Sequence, residues 1–221
     1  MSKIRKPILI CFIGIDGTGK TTLANELVVR LNQHNINAKY VWSRFEPQFV
    51  RPLLLIDKTL FHQNKTTDEG YKRYSSSRRK FLRRPIIRNF YEFILLFDYS
   101  IQLFFKIRIP LMNNINIVTD RYYFDTLVDL NVNLAYSNKK LAGIFNFFKR
   151  LNPDPDIVFL VDIPEKIAFE RKNDVPSIEY LYERRQSYIN ISKQYSMIAL
   201  DGTEQLETLH SLIWQKVQEV L

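Results

Sequence analysis

A single cysteine, Cys11, stands in the 221 residues, so no disulfide can form within the chain. It sits in an apolar run, and a lone buried thiol suits a reducing compartment. No segment reaches the roughly 18 apolar residues that a membrane span requires. The stretch from Phe90 to Leu111 comes nearest, and Glu92, Asp98, Lys106 and Arg108 interrupt it. At the start of the chain, Lys3, Arg5 and Lys6 precede the apolar run from Ile8 to Ile15, a loose imitation of a secretion signal. That run opens into a glycine-containing loop with no small-residue cleavage site, which argues against export. His34, His62 and His210 show no metal-ligand spacing with one another or with Cys11, which argues against zinc. No Ser-His-Asp or Gly-x-Ser-x-Gly pattern points to a hydrolase. Repeats, low-complexity tracts and Gly/Ser linkers are missing as well. The expectation is a soluble, cytoplasmic protein with residues 1–221 in one domain.

Acidic residues are also short, 23 against 32 Lys and Arg, for a formal charge of +9. Ten basic and three acidic residues lie between Lys58 and Glu92, a local balance of +7 that leaves +2 elsewhere. One segment, about residues 58–92, carries the excess, rather than a basic stripe along the fold. Arg78, Arg79, Lys80, Arg83, Arg84 and Arg88 are its densest part. It reads as a solvated face or a mobile insertion, or else as a site for a polyanion or an anionic membrane surface. Tyr71, Tyr74 and Phe81 could stack on nucleic acid, though a nucleic-acid partner is not expected.

What is abundant is aromatic and periodic. Twelve Tyr and 16 Phe predict an aromatic-rich core. Strand and helix patterns alternate, the mark of a parallel sheet covered by helices on both faces. Strands are predicted at Ile8–Ile13, Ala38–Trp42, Ile115–Thr119, Asp156–Val161 and Met197–Leu200. Helices are predicted at Lys20–His34, Val50–Leu60, Pro85–Leu111, from about Phe124, from Pro164 to Lys172, at Ile178–Ser192 and at Glu204–Val220. The stretch from Gln63 to Ser77 reads as polar and mobile.

Gly14-Ile15-Asp16-Gly17-Thr18-Gly19-Lys20-Thr21 fits G-x-x-x-x-G-K-[ST] without a mismatch, with a strand before it and a helix after it. The glycines let backbone approach phosphate oxygens closely, and successive N–H groups at a helix N-terminus supply positive potential. Lys20 is expected to reach the β- and γ-phosphates of ATP, and the Thr21 hydroxyl to hold Mg²⁺. Gly14, Gly17, Thr18, Gly19 and Thr22 complete the loop. The apolar strand ending in Asp120-Arg121 is the second signal. An Asp at that position would complete the Mg²⁺ shell, and the Arg121 fork would clamp phosphate oxygens in the same cleft. A surface turn with Asp120 as a helix cap is the alternative.

Four stretches together resemble the thymidylate kinase family of nucleoside monophosphate kinases. They are Gly14–Thr22, Asp120-Arg121-Tyr122, Asp156 to Arg171, and Ser177 to Thr203, which leave uncovered mainly Phe45 to Phe93. The resemblance implies a P-loop NTPase fold, three layers α/β/α around about five parallel strands, with a short lid at about 171–178. It implies ATP-dependent phosphoryl transfer, most simply dTMP to dTDP. Carried over by position, Asp16 would contact the acceptor sugar, Arg121 its phosphate, and Asp120 the metal. Arg171 or Lys172 would supply the lid cation, with Arg184 and Arg185 behind them, and Asp201 would border the nucleotide site. Arg44 follows the second strand, where the family places a phosphate-binding Arg. Phe97 falls where the family stacks thymine, but no base-reading Arg follows it, so Tyr99 or Gln102 could read another ring. Tyr122 could wall the pocket. Asp125 and Asp129 add either acceptor contacts or charges favourable to a helix start. The family is often dimeric, and the apolar helix from Ile86 to Leu111 offers such an interface, or core. Two alternatives stay open: a kinase of the same fold for a sugar phosphate or other nucleotide, and an ATP-dependent binding protein for a polyanion.

Overall fold

A computed structural model of the chain describes residues 6–46, 84–134, 136–172 and 174–221. The helix expected at 50–60, the polar stretch 63–77, His62 and the greater part of the basic segment lie outside the described residues. Five strands form one all-parallel sheet in the order β2-β3-β1-β4-β5. They are β1 (Leu9–Ile13), β2 (Ala38–Trp42), β3 (Asn116–Asp120), β4 (Ile157–Asp162) and β5 (Ile198–Asp201). The central strand, LICFI, is buried at every position, which is why it reads as a continuous apolar run rather than an alternating one. Each predicted strand is observed within a residue or two.

Two helices cover one face: α1 (Lys20–Gln33) and, at the end of the chain, Leu206–Gln218. Leu23, Leu27, Leu31, Leu209, Ile213 and Trp214 pack there on Ile10, Phe12, Phe159 and Val161. On the other face lie α2 (Pro85–Leu103), α4 (Tyr123–Leu134), α5 (Asn138–Leu151) and the helix Ile178–Gln194. Short helices complete the described set: α3 (Ile109–Met112), then α6 (Glu165–Arg171) before α7 (Ile178–Gln194) and α8 (Leu206–Gln218).

Two boundaries differ from expectation. The single long helix from Pro85 is α2 followed by a π-helical turn, Phe104–Arg108, before α3. The helical region after Phe124 is two helices, split where Ser137 caps α5 by accepting from the Lys140 N–H. The predicted aromatic core is there: Tyr99, Tyr122, Tyr123 and Phe148 are at most 1% exposed. Tyr123 stacks on Phe148 with centroids 5.4 Å apart, and Tyr99 meets Phe148 edge-on at 5.7 Å. Among the described residues no helix is long and apolar enough to cross a membrane.

Candidate active site

The carboxyl ends of β1, β3 and β4 deliver three loops to one edge of the sheet, where open α/β sheets bind ligands. The loop after β1 wraps the start of α1 through left-handed backbone at Gly17 and Gly19. A Cβ at Gly17 would come within 2.5 Å of the Ala168 carbonyl oxygen in α6, whereas one at Gly19 would meet nothing within 4 Å. The loop is thus packed tightly on its α6 side and open on the other. Inside it, Lys20 is 5% exposed and its ammonium donates to the Ile15 carbonyl at 2.5 Å and to Thr18 Oγ1 at 3.2 Å. Burial, reinforced by the neighbouring Arg121 charge, lowers the Lys20 pKa to about 8, against the pull of Asp16, Asp120 and Asp125. A desolvated cation held by weak neutral acceptors is suited to an anion. Thr22 is exposed beside it at the start of α1.

β3 ends in Asp120, 3% exposed. Its Oδ2 accepts from Thr21 Oγ1 at 2.5 Å and from the Tyr40 hydroxyl of β2 at 3.2 Å. Its Oδ1 is buried without any hydrogen-bond partner. A buried carboxylate oxygen rarely goes unsatisfied, and one beside a threonine hydroxyl at a phosphate loop fits a hard cation. Among the described residues no three His, Cys, Asp or Glu form a metal cage of their own. Two protein oxygens beside a phosphate site are a usual protein contribution to Mg²⁺.

Arg121 follows with a left-handed φ of +71°. Its Nη2 donates to Asp16 Oδ1 at 2.5 Å and its Nη1 to Asp125 Oδ1 at 2.8 Å. Lys172, just after α6, brings its ammonium within 3.5 Å of the same Asp16 oxygen. Burial tends to raise the Asp16 pKa, but Arg121, with Lys20, Arg44 and Lys172 around it, takes it down to about 2. Asp16 is therefore an anion ringed by cations, at a place where phosphate could take over its contacts.

The remaining expected residues divide. Arg44 is half-buried and near enough for its charge to act on Asp16. Arg171 is exposed and donates to the Gly202 carbonyl at 3.3 Å, so it faces the loop after β5 rather than Asp16. Asp201, the last residue of β5, is exposed and accepts from the Thr203 hydroxyl and N–H, which lowers its pKa. Arg184 pairs with Asp129, and Arg185 forks onto Asp162 and Glu165. Three side chains expected at the acceptor, Tyr99, Gln102 and Tyr122, lie in the core instead. Tyr99 is a core side chain whose hydroxyl donates to the Ser43 carbonyl, and Gln102 donates to the Glu46 carbonyl and to Asp98. Tyr122 is fully buried and donates to the Pro153 carbonyl at 2.8 Å, at the opposite end of β4. Phe97 is 52% exposed and stacks on Phe93, on the side of α2 away from the buried Tyr99. Helical position separates Phe97 from the other two residues of α2, because residues two apart on a helix point to nearly opposite sides, whereas Tyr99 and Gln102, three apart, share the buried face. Sequence reasoning missed Tyr40 and Tyr188. Tyr40 is legible only as an inward-facing residue near the end of β2, and Tyr188 carries no local signal.

The family model for thymidylate kinase matches residues 12–213. The chain belongs to the thymidylate kinase family. A probable thymidylate kinase of Metallosphaera sedula is 28% identical over 224 aligned positions, covering 96% of this chain and 93% of that protein. A probable thymidylate kinase of Sulfurisphaera tokodaii is 29% identical, with 92% of each chain covered. The thymidylate kinase of Plasmodium falciparum is 24% identical over 98% of this chain and 92% of its own. Family membership makes the protein an ATP- and Mg²⁺-using phosphotransferase that acts on a nucleoside monophosphate.

Proposed function

We propose that this thymidylate kinase family member transfers the γ-phosphoryl group of ATP to dTMP in the cytoplasm, with the whole chain working as one kinase domain. What supports the reading most is the convergence at one sheet edge of Lys20, the unpartnered Asp120 oxygen, and an Asp16 carboxylate held by Arg121 and Lys172. Loop N–H groups and Lys20 bind and orient the ATP phosphates. Thr21 and Asp120 would hold Mg²⁺, which supplies charge neutralisation between the phosphates when bound. Arg121 and Arg44 bind the acceptor phosphate, displacing Asp16 from Arg121 towards the acceptor sugar. Lys172, freed from Asp16, neutralises charge on the transferring group, and a lid over residues 171–178 excludes water. Arg171 and Asp201 border the nucleotide at the loop after β5.

A second reading, a different small acceptor such as another nucleotide or a sugar phosphate, is favoured by one observation. Phe97 points away from the side of α2 that carries Tyr99, and Tyr99 and Tyr122 are core residues, so none of the three reads a base. The deciding experiment follows ATP-to-ADP conversion across nucleoside monophosphates led by dTMP, plus sugar phosphates, with Lys20→Ala as control. Selective turnover of dTMP that vanishes in Lys20→Ala is expected. Wild-type turnover by Lys20→Ala would sink the site, and selective turnover of a sugar phosphate would replace dTMP as the acceptor.

The same reading includes a homodimer. Ile86, Phe90, Phe93, Phe97 and Phe104 recur at helical spacing on the outer side of α2 and its π turn, and all are more than 40% exposed, as is Phe105 beside them. At roughly 100 Å² of apolar surface each, the stripe presents about 500 Å², near the upper range for a monomer and much of the ~800 Å² that one partner contributes to a stable interface. Sedimentation should show dimers that Phe93→Glu with Phe97→Glu converts to monomers. A wild-type monomer at micromolar concentration would refute the dimer.

A further inference from the structure

Arg121 adopts a backbone conformation that non-glycine residues hold only where their surroundings over-determine it. Here they do. Its N–H donates to the Phe12 carbonyl at 2.9 Å, and its own carbonyl accepts from the Thr119 and Ser43 hydroxyls, each at 2.5 Å. The guanidinium is held as firmly, but its two ends differ. Asp16, on the Nη2 side, lies in the ligand loop and is partly exposed. Asp125, on the Nη1 side, is 4% exposed and accepts three hydrogen bonds. Its Oδ1 also accepts from the Tyr188 hydroxyl at 2.5 Å, and its Oδ2 accepts from the Tyr122 N–H at 3.0 Å. No ligand can reach Asp125 without unpacking α4 from α7, whereas a phosphate can take the place of Asp16.

Tyr188 belongs to α7, the helix that begins just after Lys172 and the turn to Ser177. One helical turn along the same interface, Arg184 reaches Asp129 Oδ1 at 3.2 Å. Beside it, Asn131 donates to Ser187 Oγ at 3.1 Å. Asp125 and Asp129 are four apart on α4, and Arg184 and Tyr188 four apart on α7, so the contacts form an antiparallel ladder. Its Asp125 rung ends on Arg121.

We propose that Asp125 and Tyr188 are a positioning pair: they fix the Arg121 guanidinium from behind, present its outer edge to the acceptor phosphate, and make acceptor binding depend on the docking of α7. The proposal rests on the reading of Arg121 as the acceptor-phosphate ligand. Asp125 does not touch the acceptor; it acts through Arg121. The simpler role, a carboxylate that only offsets a buried charge, would require no tyrosine and would not tie Arg121 to α7.

The test compares the full-length protein with Asp125→Asn and Tyr188→Phe, the second of which removes a hydroxyl without changing shape. Nitrogen-15 NMR of the arginine side chains, with Arg121 assigned from the spectrum of Arg121→Lys, reads guanidinium rotation directly. Separate, slowly exchanging Nη signals are expected for wild type, and averaged signals for both variants. Kinetics should show the KM for dTMP raised about 10-fold by Asp125→Asn and about 3-fold by Tyr188→Phe, with the KM for ATP within about twofold. Unchanged Arg121 signals in folded Tyr188→Phe would overturn the proposal, even if Asp125→Asn fails to fold. If wild type turns over no dTMP, the acceptor reading falls, and the NMR comparison still decides the positioning pair either way.

Discussion

Gly17 and Gly19 share nearly the same backbone, φ +89° and +88°, yet their surroundings predict opposite consequences for the same substitution. An alanine at either position accepts left-handed backbone at a cost of about 1–2 kcal/mol. At Gly17 the new Cβ also lies 2.5 Å from the Ala168 carbonyl oxygen and 3.1 Å from its carbonyl carbon, both fixed backbone atoms of α6. Relieving that overlap moves the loop or the helix and adds about 1–3 kcal/mol. At Gly19 no atom lies within 4 Å of the new Cβ, so no steric term is added in the free protein. The open space there is where phosphate would lie, so the methyl group falls on the ligand instead. Gly17→Ala should therefore lose roughly 2–5 kcal/mol of stability. Gly19→Ala should lose only about 1–2 kcal/mol while binding ATP at least ~10-fold more weakly. Urea denaturation in the absence of nucleotide measures the first quantity, and calorimetric titration with ATP the second. If Gly19→Ala is as unstable as Gly17→Ala and binds ATP normally, the loop does not have a packed side and an open side, and the assignment of its concavity to phosphate is wrong.

The Lys20 pKa of about 8 lies below that of a free lysine, so in the ligand-free protein about half of this side chain has lost its proton at pH 8. ATP favours the ammonium, so binding between pH 8 and 9 should take up a proton, and affinity should fall as pH rises further. Equal binding heats in buffers of different ionisation enthalpy would refute this. Lys172→Ala should leave stability within about 0.5 kcal/mol, because the side chain is 40% exposed. It should lower kcat about 10- to 100-fold, since a cation then fails to meet the transferring group; wild-type kcat in single-turnover measurements would remove Lys172 from the mechanism. Arg185→Lys breaks a fork whose Nε and Nη2 lie 2.7 and 2.9 Å from Asp162 and whose Nη1 lies 2.9 Å from Glu165. A loss of about 1 kcal/mol with kcat within about twofold is expected, and a 10-fold fall in kcat would make Arg185 part of the chemistry.

Local signals carried the sheet and the phosphate loop. Ile8 to Ile13 is an unbroken apolar run because β1 is buried on both faces, and Gly14 to Thr21 carries glycine where the backbone is left-handed or packs closely on α6. Asp120-Arg121 was legible for the same kind of reason, an acid and a base at the end of an apolar strand. Strands buried on both sides and loops shaped by glycine write their requirements into consecutive residues. Their chemistry can be read without knowing what lies across the fold.

Orientation was not written that way. Phe97, Tyr99 and Gln102 are close neighbours in sequence, but a helix turns 100° per residue, so one faces outward and two inward, and only the packing of α2 on the sheet settles which. Lys172 rather than Arg171 reaches Asp16 because α6 ends at Arg171 and the chain changes direction there. In the sequence Asp125 reads equally as an acceptor contact or as a charge favourable to a helix start; its partner is Tyr188, 63 residues later. A buried carboxylate needs partners from wherever packing brings them, so the tertiary structure alone decided how Arg121 is held and from which side a phosphate can reach it.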